Sequence, residues 1–198
     1  MKPSGLLLSA PPRFQPLTGG TAVWVFMGVE VLTFGLFLLG HAWGWRANAE
    51  VFAESQALLH PTSAVRGTVL LLMASGAAYH GVLCNADRRA GQTAAWFVLA
   101  AALGGLFSIN KIVEYLDPAL ADVTLSTNRF WFTYQFLTGL HLMHVLGGVV
   151  LFLVLAQRAR RGDYGPENAL TVEAGATYWH LVDVIWVLLF PILYLMHP

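Results

Sequence analysis

The sequence has one cysteine, Cys84, among its 198 residues, and only 11% of its residues are charged. A single cysteine excludes an internal disulfide and any cysteine-rich metal or iron-sulfur site. The formal net charge is zero, so there is no excess of basic residues with which to bind nucleic acid. We find no internal repeat. Hydrophobic residues make up 57% of the chain, and they give most of the information.

Long apolar segments predict an all-α integral membrane protein. A membrane-spanning helix needs about 20 mostly apolar residues. Five segments reach that length: Thr21 to Trp45, Thr62 to Asn85, Thr93 to Leu116, Asn128 to Gln157, and Thr171 to Met196. We therefore expect a tail over residues 1–20 and one bundle of five transmembrane helices over residues 21–198, with no extramembrane domain to hold a soluble cofactor.

The positions of Lys and Arg predict the orientation, because short basic loops stay on the cytoplasmic side of a membrane. Seven basic residues lie in the tail and in the second and fourth connections: Lys2, Arg13, Arg88, Arg89, Arg158, Arg160 and Arg161. The first and third connections hold only Arg46, Arg66 and Arg129. We expect a cytoplasmic N-terminus and a periplasmic C-terminus.

Glu30 lies in the first apolar segment, with no other charged residue within fifteen positions on either side. Lipid cannot solvate a carboxylate, so Glu30 is expected to face another helix. Two interpretations remain open for it. Glu30 is either a proton-exchanging or headgroup-sensing acid, or a neutral carboxyl group hydrogen-bonded across a helix contact.

His141 and His144 share one face of the fourth helix near mid-membrane, and His180 and Asp183 repeat that three-residue spacing on the fifth. Three or four such ligands can hold a metal ion. The favoured interpretation is an interhelical hydrogen-bond cluster in which Asp183 fixes a histidine tautomer.

Three other polar residues have ordinary structural explanations. Glu114 follows Lys111 at a spacing that allows an ion pair within the third helix. His80 lies near the cytoplasmic end of the second helix, and Glu173 lies in the first turn of the fifth, where the helix dipole favours a carboxylate. Small residues in the third and fourth helices permit close packing, among them Gly104, Gly105, Gly139, Gly147 and Gly148.

These motifs resemble one known family. FLTGLHLMHVLGG in the fourth helix and EAGATYWHLVDVIWVLLFPILYLM in the fifth are similar to segments of cytochrome c oxidase subunit III. FMGVEVLTFGLF resembles the family segment that carries a buried carboxylate, and NKIVEYLDP resembles its A-S-E-Y-Y stretch. The likeness extends from about Ala22 to Pro198 and also implies the bacterial inner membrane as the location.

The resemblance implies a role for each candidate residue. Glu30 would be the family's carbodiimide-reactive carboxylate, close to bound phospholipid, and Arg158 would meet a lipid phosphate. An internal polar framework would consist of His80, Glu114, His141, His144, Glu173, His180 and Asp183. The chain would hold no haem, copper or other metal of its own, since these belong to the catalytic partner subunit, and it would stabilise that partner, retain lipid and support proton access.

The first helix favours one branch of the family. The oxidase subunit with seven helices has two more at its N-terminus, whereas five-helix forms occur in quinol oxidases and in the protein encoded with nitric oxide reductase. Trp24, Val25, Phe26, Glu30, Phe34 and Phe37 follow the pattern of the latter, so we expect an accessory subunit of nitric oxide reductase. The alternatives are subunit III of a cytochrome c or quinol oxidase, an independent proton or ion translocator, and, ranked last, a membrane metalloenzyme.

Overall fold

A computed structural model describes residues 21–117, 122–165 and 168–196. Within these ranges the chain is all-helical: α1 (Thr21–Ala47), α2 (Ala49–Gln56), α3 (Pro61–Ala86), α4 (Ala90–Tyr115), α5 (Arg129–Arg160) and α6 (Ala169–Tyr194). All except α2 are long and apolar enough to cross a membrane, which confirms the predicted fold class. The tail predicted over residues 1–20 lies outside the described residues.

The short helix α2 was not predicted, because its eight residues, AEVFAESQ, have no apolar run. It packs across one end of the bundle, where α5 begins and α6 ends. The Gln56 side-chain amide donates to the Leu193 carbonyl at 3.1 Å. The Asn128 amide donates to the Ser55 hydroxyl at 2.9 Å. The connection between α1 and α3 is therefore an ordered cap on that end of the bundle.

Four of the spanning helices form a closed bundle, and α1 packs on its outside. Helix α3 contacts α4 and α6, and α5 contacts the same two helices. Helix α1 lies against α5 and α6 and is the least buried of the five, with only 6% of its most apolar window inside the protein. Most of the surface of α1 is therefore available to lipid or to another protein.

The bundle is tightest around Trp179 of α6, which lies between Gly104 of α4 and Gly148 of α5. A Cβ atom added at either glycine would come within 2.6 Å of the Trp179 ring. At Gly105 and Gly139 an added Cβ would meet no atom within 4 Å. The prediction that small residues permit close packing is thus confirmed at two glycines, which accommodate one buried indole.

Candidate functional site

Glu30 forms an ion pair between helices, on the contact between α1 and α5. Its carboxyl oxygen Oε2 lies 3.2 Å from Nε2 of His144, and the two side chains are 14% and 15% exposed. The other ring nitrogen, Nδ1, lies 2.8 Å from the Leu140 carbonyl. A carbonyl only accepts hydrogen bonds, so Nδ1 must carry a proton. Nε2 is then the nitrogen that faces Glu30, and the contact joins α1 to α5.

Aromatic side chains surround this pair. Phe26 and Phe34, one turn before and one turn after Glu30, lie with ring centroids 6.3 and 5.9 Å from the His144 ring. The Tyr178 hydroxyl of α6 donates to the His144 carbonyl at 2.9 Å. The pair thus joins α1 to α5, while the Phe26 ring, 5.9 Å from the Tyr178 ring, joins α1 to α6.

Lys111 is at the centre of a second polar group, the Lys111 cluster, which consists of Lys111, Glu114, Tyr134 and Tyr194. The Lys111 ammonium donates at 2.9 Å to Oε1 of Glu114 and at 2.9 Å to the Tyr134 hydroxyl, and it also donates to Tyr194. Both tyrosine hydroxyls then donate to the same Glu114 oxygen at 2.5 Å. The Lys111 and Glu114 side chains are each 2% exposed. This buried cluster connects α4, α5 and α6.

The predicted ion pair between Lys111 and Glu114 is present, but its tyrosine partners were missed. Lys111 also lies 4.8 to 5.6 Å from four aromatic ring centroids, those of Tyr115, Tyr134, Trp186 and Tyr194. Aromatic rings attract a desolvated ammonium group. The buried cation is therefore compensated by a carboxylate, two hydroxyl groups and several ring faces.

The expected cluster of His141, His144, His180 and Asp183 is not formed, which corrects the sequence interpretation. His141 is 1% exposed. Its ring stacks on Trp186 at 5.1 Å and meets the edge of Phe107 at 5.7 Å. Neither ring nitrogen has a hydrogen-bond partner among the described residues. His144 instead faces Glu30. A three-residue step leaves two side chains about 60° apart around a helix, enough to direct them toward different neighbours.

His180 and Asp183 belong to a third group, on the contact between α3 and α6. The His180 Nδ1 atom lies 2.8 Å from the Ser75 hydroxyl. Asp183 interacts with Ser75 and His180, while its oxygen Oδ1 is buried without a hydrogen-bond partner in the described ranges. In residues 21–117, 122–165 and 168–196, no three His, Cys, Asp or Glu side chains are placed to hold a metal ion.

The remaining predicted residues lie closer to the surface. The sequence predicted Glu173 in the first turn of the last helix. Helix α6 begins at Ala169, so Glu173 lies beyond that turn and the prediction was wrong. His80 is exposed and stacks on Trp96 of α4 at 5.0 Å, so it joins two helices through ring contact. Arg158 is exposed in the last turn of α5.

Sequence reasoning missed His41. Its Nδ1 atom lies 2.7 Å from the Thr133 hydroxyl, and the residue is only 3% exposed. Its ring also packs on Phe52 of α2 and Phe130 of α5. A histidine inside the first apolar segment is a signal of the same kind as Glu30, and it indicates a second polar contact of α1 with a neighbouring helix.

These features define a class: a multi-pass helical membrane protein whose buried ionisable side chains mostly meet partners on neighbouring helices. The family model of cytochrome c oxidase subunit III matches residues 56–197, from the end of α2 onward, and the chain belongs to this family. The predicted resemblance is thereby confirmed. Helix α1, with Glu30, lies outside the matched residues.

Individual relatives differ in how much of their length is matched. The chain is 38% identical over 102 residues to cytochrome c oxidase subunit 3 of Synechocystis sp., which is 51% of this chain and 42% of that protein. It is 28% identical over 195 residues to the Corynebacterium diphtheriae protein of the same name, 94% of both chains. With the Thermostichus vulcanus protein of the same name it shares 34% identity over 131 residues, which is 65% of this chain and 63% of that protein. The match therefore spans less than two thirds of two of these three relatives.

The family model and the relatives agree on one description, subunit III of cytochrome c oxidase. They favour an oxidase over the nitric oxide reductase expected from the first helix. The three relatives are all oxidase subunits by name. The six residues on which the reductase branch was preferred all precede the range matched by the family model.

Proposed function

We propose that this chain is subunit III of a respiratory terminal oxidase, which stabilises the catalytic subunit and supports its access to protons. The observation that carries the proposal is the match over 94% of both chains with cytochrome c oxidase subunit 3 of Corynebacterium diphtheriae. The geometry agrees with a supporting role. The Lys111 cluster and the Glu30–His144 pair join neighbouring helices through polar contacts inside the bundle, as expected of a scaffold.

The exposed face of α1 supplies a contact surface for the catalytic subunit. Six large apolar side chains on this face repeat at alternating steps of four and three residues and are 56 to 73% exposed: Val25, Val29, Leu32, Leu36, Leu39 and Trp43. This is the spacing at which one helix packs along another. We assign this stripe to a transmembrane helix of the catalytic subunit.

The pair formed by Glu30 and His144 is the proposed place of lipid contact. The two side chains are 14% and 15% exposed, so a hydrophobic carbodiimide or a lipid headgroup can reach them. The Glu114 side chain is only 2% exposed. Treating membranes with such a carbodiimide should therefore modify Glu30 and leave Glu114 unmodified, as read by peptide mass spectrometry. Arg158 is exposed in the last turn of α5, and we propose that it binds a lipid phosphate at a separate place.

The proposed location is the bacterial inner membrane, with the N-terminus in the cytoplasm. The end of the bundle capped by α2 then faces the periplasm, and the end with Arg88, Arg158 and Arg160 faces the cytoplasm. Reporter enzymes fused after residue 87 and after residue 56 should be active on opposite sides of the membrane.

Affinity purification from native membranes in mild detergent tests the proposal. We expect this chain to be recovered with the catalytic subunit of an oxidase, with all haem and copper accounted for by that partner. A preparation with Leu36→Glu, in the centre of the α1 stripe, should lose the partner. Val150→Glu, at a 60% exposed position on α5, serves as the control.

The second candidate is an accessory subunit of nitric oxide reductase, and it is favoured by the aromatic pattern around Glu30. Phe26 and Phe34 both pack against the His144 ring, so two residues of the pattern lie beside the Glu30–His144 pair. The same purification separates the candidates, because each predicts a different catalytic partner. An independent translocator would instead give proton flux from the purified chain in liposomes, and we expect none above that of empty vesicles.

A further inference from the structure

A groove of about 250 Å³ lies between α3 and α6, in the half of the bundle where α6 begins. Glu173, Thr177 and His180 line it along α6, and steps of four and three residues put these side chains on one helix face. Tyr79 and Val82 line it from α3. A water molecule occupies about 30 Å³ in the liquid, so the groove has room for several, with polar partners along α6.

His180 connects this groove to a buried carboxylate. Its Nδ1 atom lies 2.8 Å from the Ser75 hydroxyl of α3, and that hydroxyl is also the hydrogen-bond partner of Asp183. Asp183 is 7% exposed and lies about 21 Å along α6 from its first residue, Ala169. An ionisable group at this depth is expensive. His180, Ser75 and Asp183 thus form a hydrogen-bonded chain from the groove to the middle of the membrane, which we call the Asp183 relay.

The Asp183 relay does not continue toward the other end of the bundle among the described residues. Next on the same contact, the Trp186 indole donates to the Thr68 hydroxyl at 2.9 Å, and this hydroxyl donates to the Ala64 carbonyl at 2.9 Å. An indole N–H has no lone pair with which to accept a proton. The relay is therefore open at the groove and closed beyond Asp183.

We propose that the Asp183 relay stores one proton, which it receives from the groove. With Asp183 ionised, Ser75 donates to it and accepts from Nδ1–H of His180, so Nε2 carries a lone pair. A hydrated proton then bonds to Nε2, the Nδ1 proton moves to the Ser75 oxygen, and the Ser75 proton moves to the carboxylate. Three bonds to hydrogen form and three break, counting the bond to the water that delivers the proton. Asp183 becomes neutral, and His180 changes tautomer without a change of charge.

The other titratable groups near the relay have separate surroundings. Glu173 and Tyr79 line the groove, so they exchange protons with its water directly. Glu30 and His144 contact one another across the interface between α1 and α5. The proposal rests on the proposed function for one point, the side of the membrane. With a cytoplasmic N-terminus, the groove opens toward the cytoplasm and the store adds to the proton access proposed there.

Time-resolved infrared spectroscopy of the intact complex in liposomes tests this proposal. A rapid drop in pH on the groove side should produce the absorption band of a protonated carboxyl group, and Asp183→Asn should remove that band. Ser75→Ala interrupts the relay and should slow the appearance of the band about a hundredfold, because a positioned proton-transfer group is lost. Ser75→Thr keeps a hydroxyl group and should restore most of the rate.

Ser108→Ala is the matched control, because the Ser108 hydroxyl is also buried but donates to the Gly104 carbonyl within α4 at 2.9 Å. It should leave the rate unchanged, and a drop in pH on the opposite side alone should not fill the store rapidly. A band that survives Asp183→Asn, an unchanged rate in Ser75→Ala, or equally fast filling from both sides would each overturn the proposal. None of these results would alter recovery of the chain with an oxidase, so the two proposals fail separately.

Discussion

Glu30 of α1 and His144 of α5 lie 3.2 Å apart, and the second ring nitrogen of His144 lies 2.8 Å from the Leu140 carbonyl. Their contact gives each of these two ionisable groups a polar partner at membrane depth. It also makes His144 the partner that holds α1, the outermost helix, on the bundle.

A double-mutant cycle measures this contact. Glu30→Ala and His144→Ala should each lower the unfolding midpoint in a dodecyl sulfate titration, and the double variant should lose less than the sum. We expect a coupling free energy of about 1 kcal/mol, in the upper part of the range for polar contacts between membrane helices. Additive losses would show that the two side chains do not interact.

The Lys111 cluster should be the most sensitive polar group in the bundle. Lys111→Met leaves Glu114 as an uncompensated buried charge, so we expect a loss of about 3–5 kcal/mol in the free energy of unfolding. Adding Glu114→Gln should recover a substantial part of this loss, because both charges are then removed. Tyr115→Phe, which removes the hydroxyl that donates to Thr138 at 2.6 Å beside the cluster, serves as a control and should cost about 1 kcal/mol.

Glycine substitutions test the close packing around Trp179. Gly104→Ala and Gly148→Ala force a methyl group into the indole and should each cost about 1–3 kcal/mol by overpacking. Gly105→Ala and Gly139→Ala have open space and should be neutral or slightly stabilising, since alanine is the better helix former. Tryptophan fluorescence during unfolding is a suitable measurement. Equal effects at all four positions would contradict the packing described here.

His141 and His41 should respond oppositely to replacement by leucine. His141 makes no hydrogen bond within the described residues, so His141→Leu removes an unsatisfied polar group and should be neutral or stabilising by about 1 kcal/mol. His41→Leu breaks the bond to Thr133 and should cost about 1 kcal/mol. A large loss from His141→Leu would revive a ligand or metal role for that ring.

The sequence predicts the spanning helices well, because each is a long apolar run whose ends are marked by charged or turn-forming residues. The spans from Thr62 to Asn85 and from Thr93 to Leu116 correspond to α3 and α4 within three residues at each end. The same signal cannot find α2, which is short and polar. It is held by contacts to residues far along the chain, such as Leu193.

Pairing between helices is harder to predict than the helices themselves. Spacing placed His141 and His144 on one helix face, but it could not show that α1 lies beside His144 while Trp186 covers His141. Tyr134 and Tyr194 gave no signal as partners of Lys111, because tyrosine is ordinary near membrane surfaces. Which polar residues meet depends on how the helices are arranged, and hydropathy does not specify that arrangement.

The central claim is that this chain supports catalysis by another subunit and performs none itself. The most direct measurement compares the oxidase purified from cells with and without this chain. We expect the same haem spectrum and a similar initial rate of oxygen reduction, with faster loss of activity during turnover when the chain is missing. Loss of haem bands or of all initial activity, at an unchanged amount of catalytic subunit, would contradict the account.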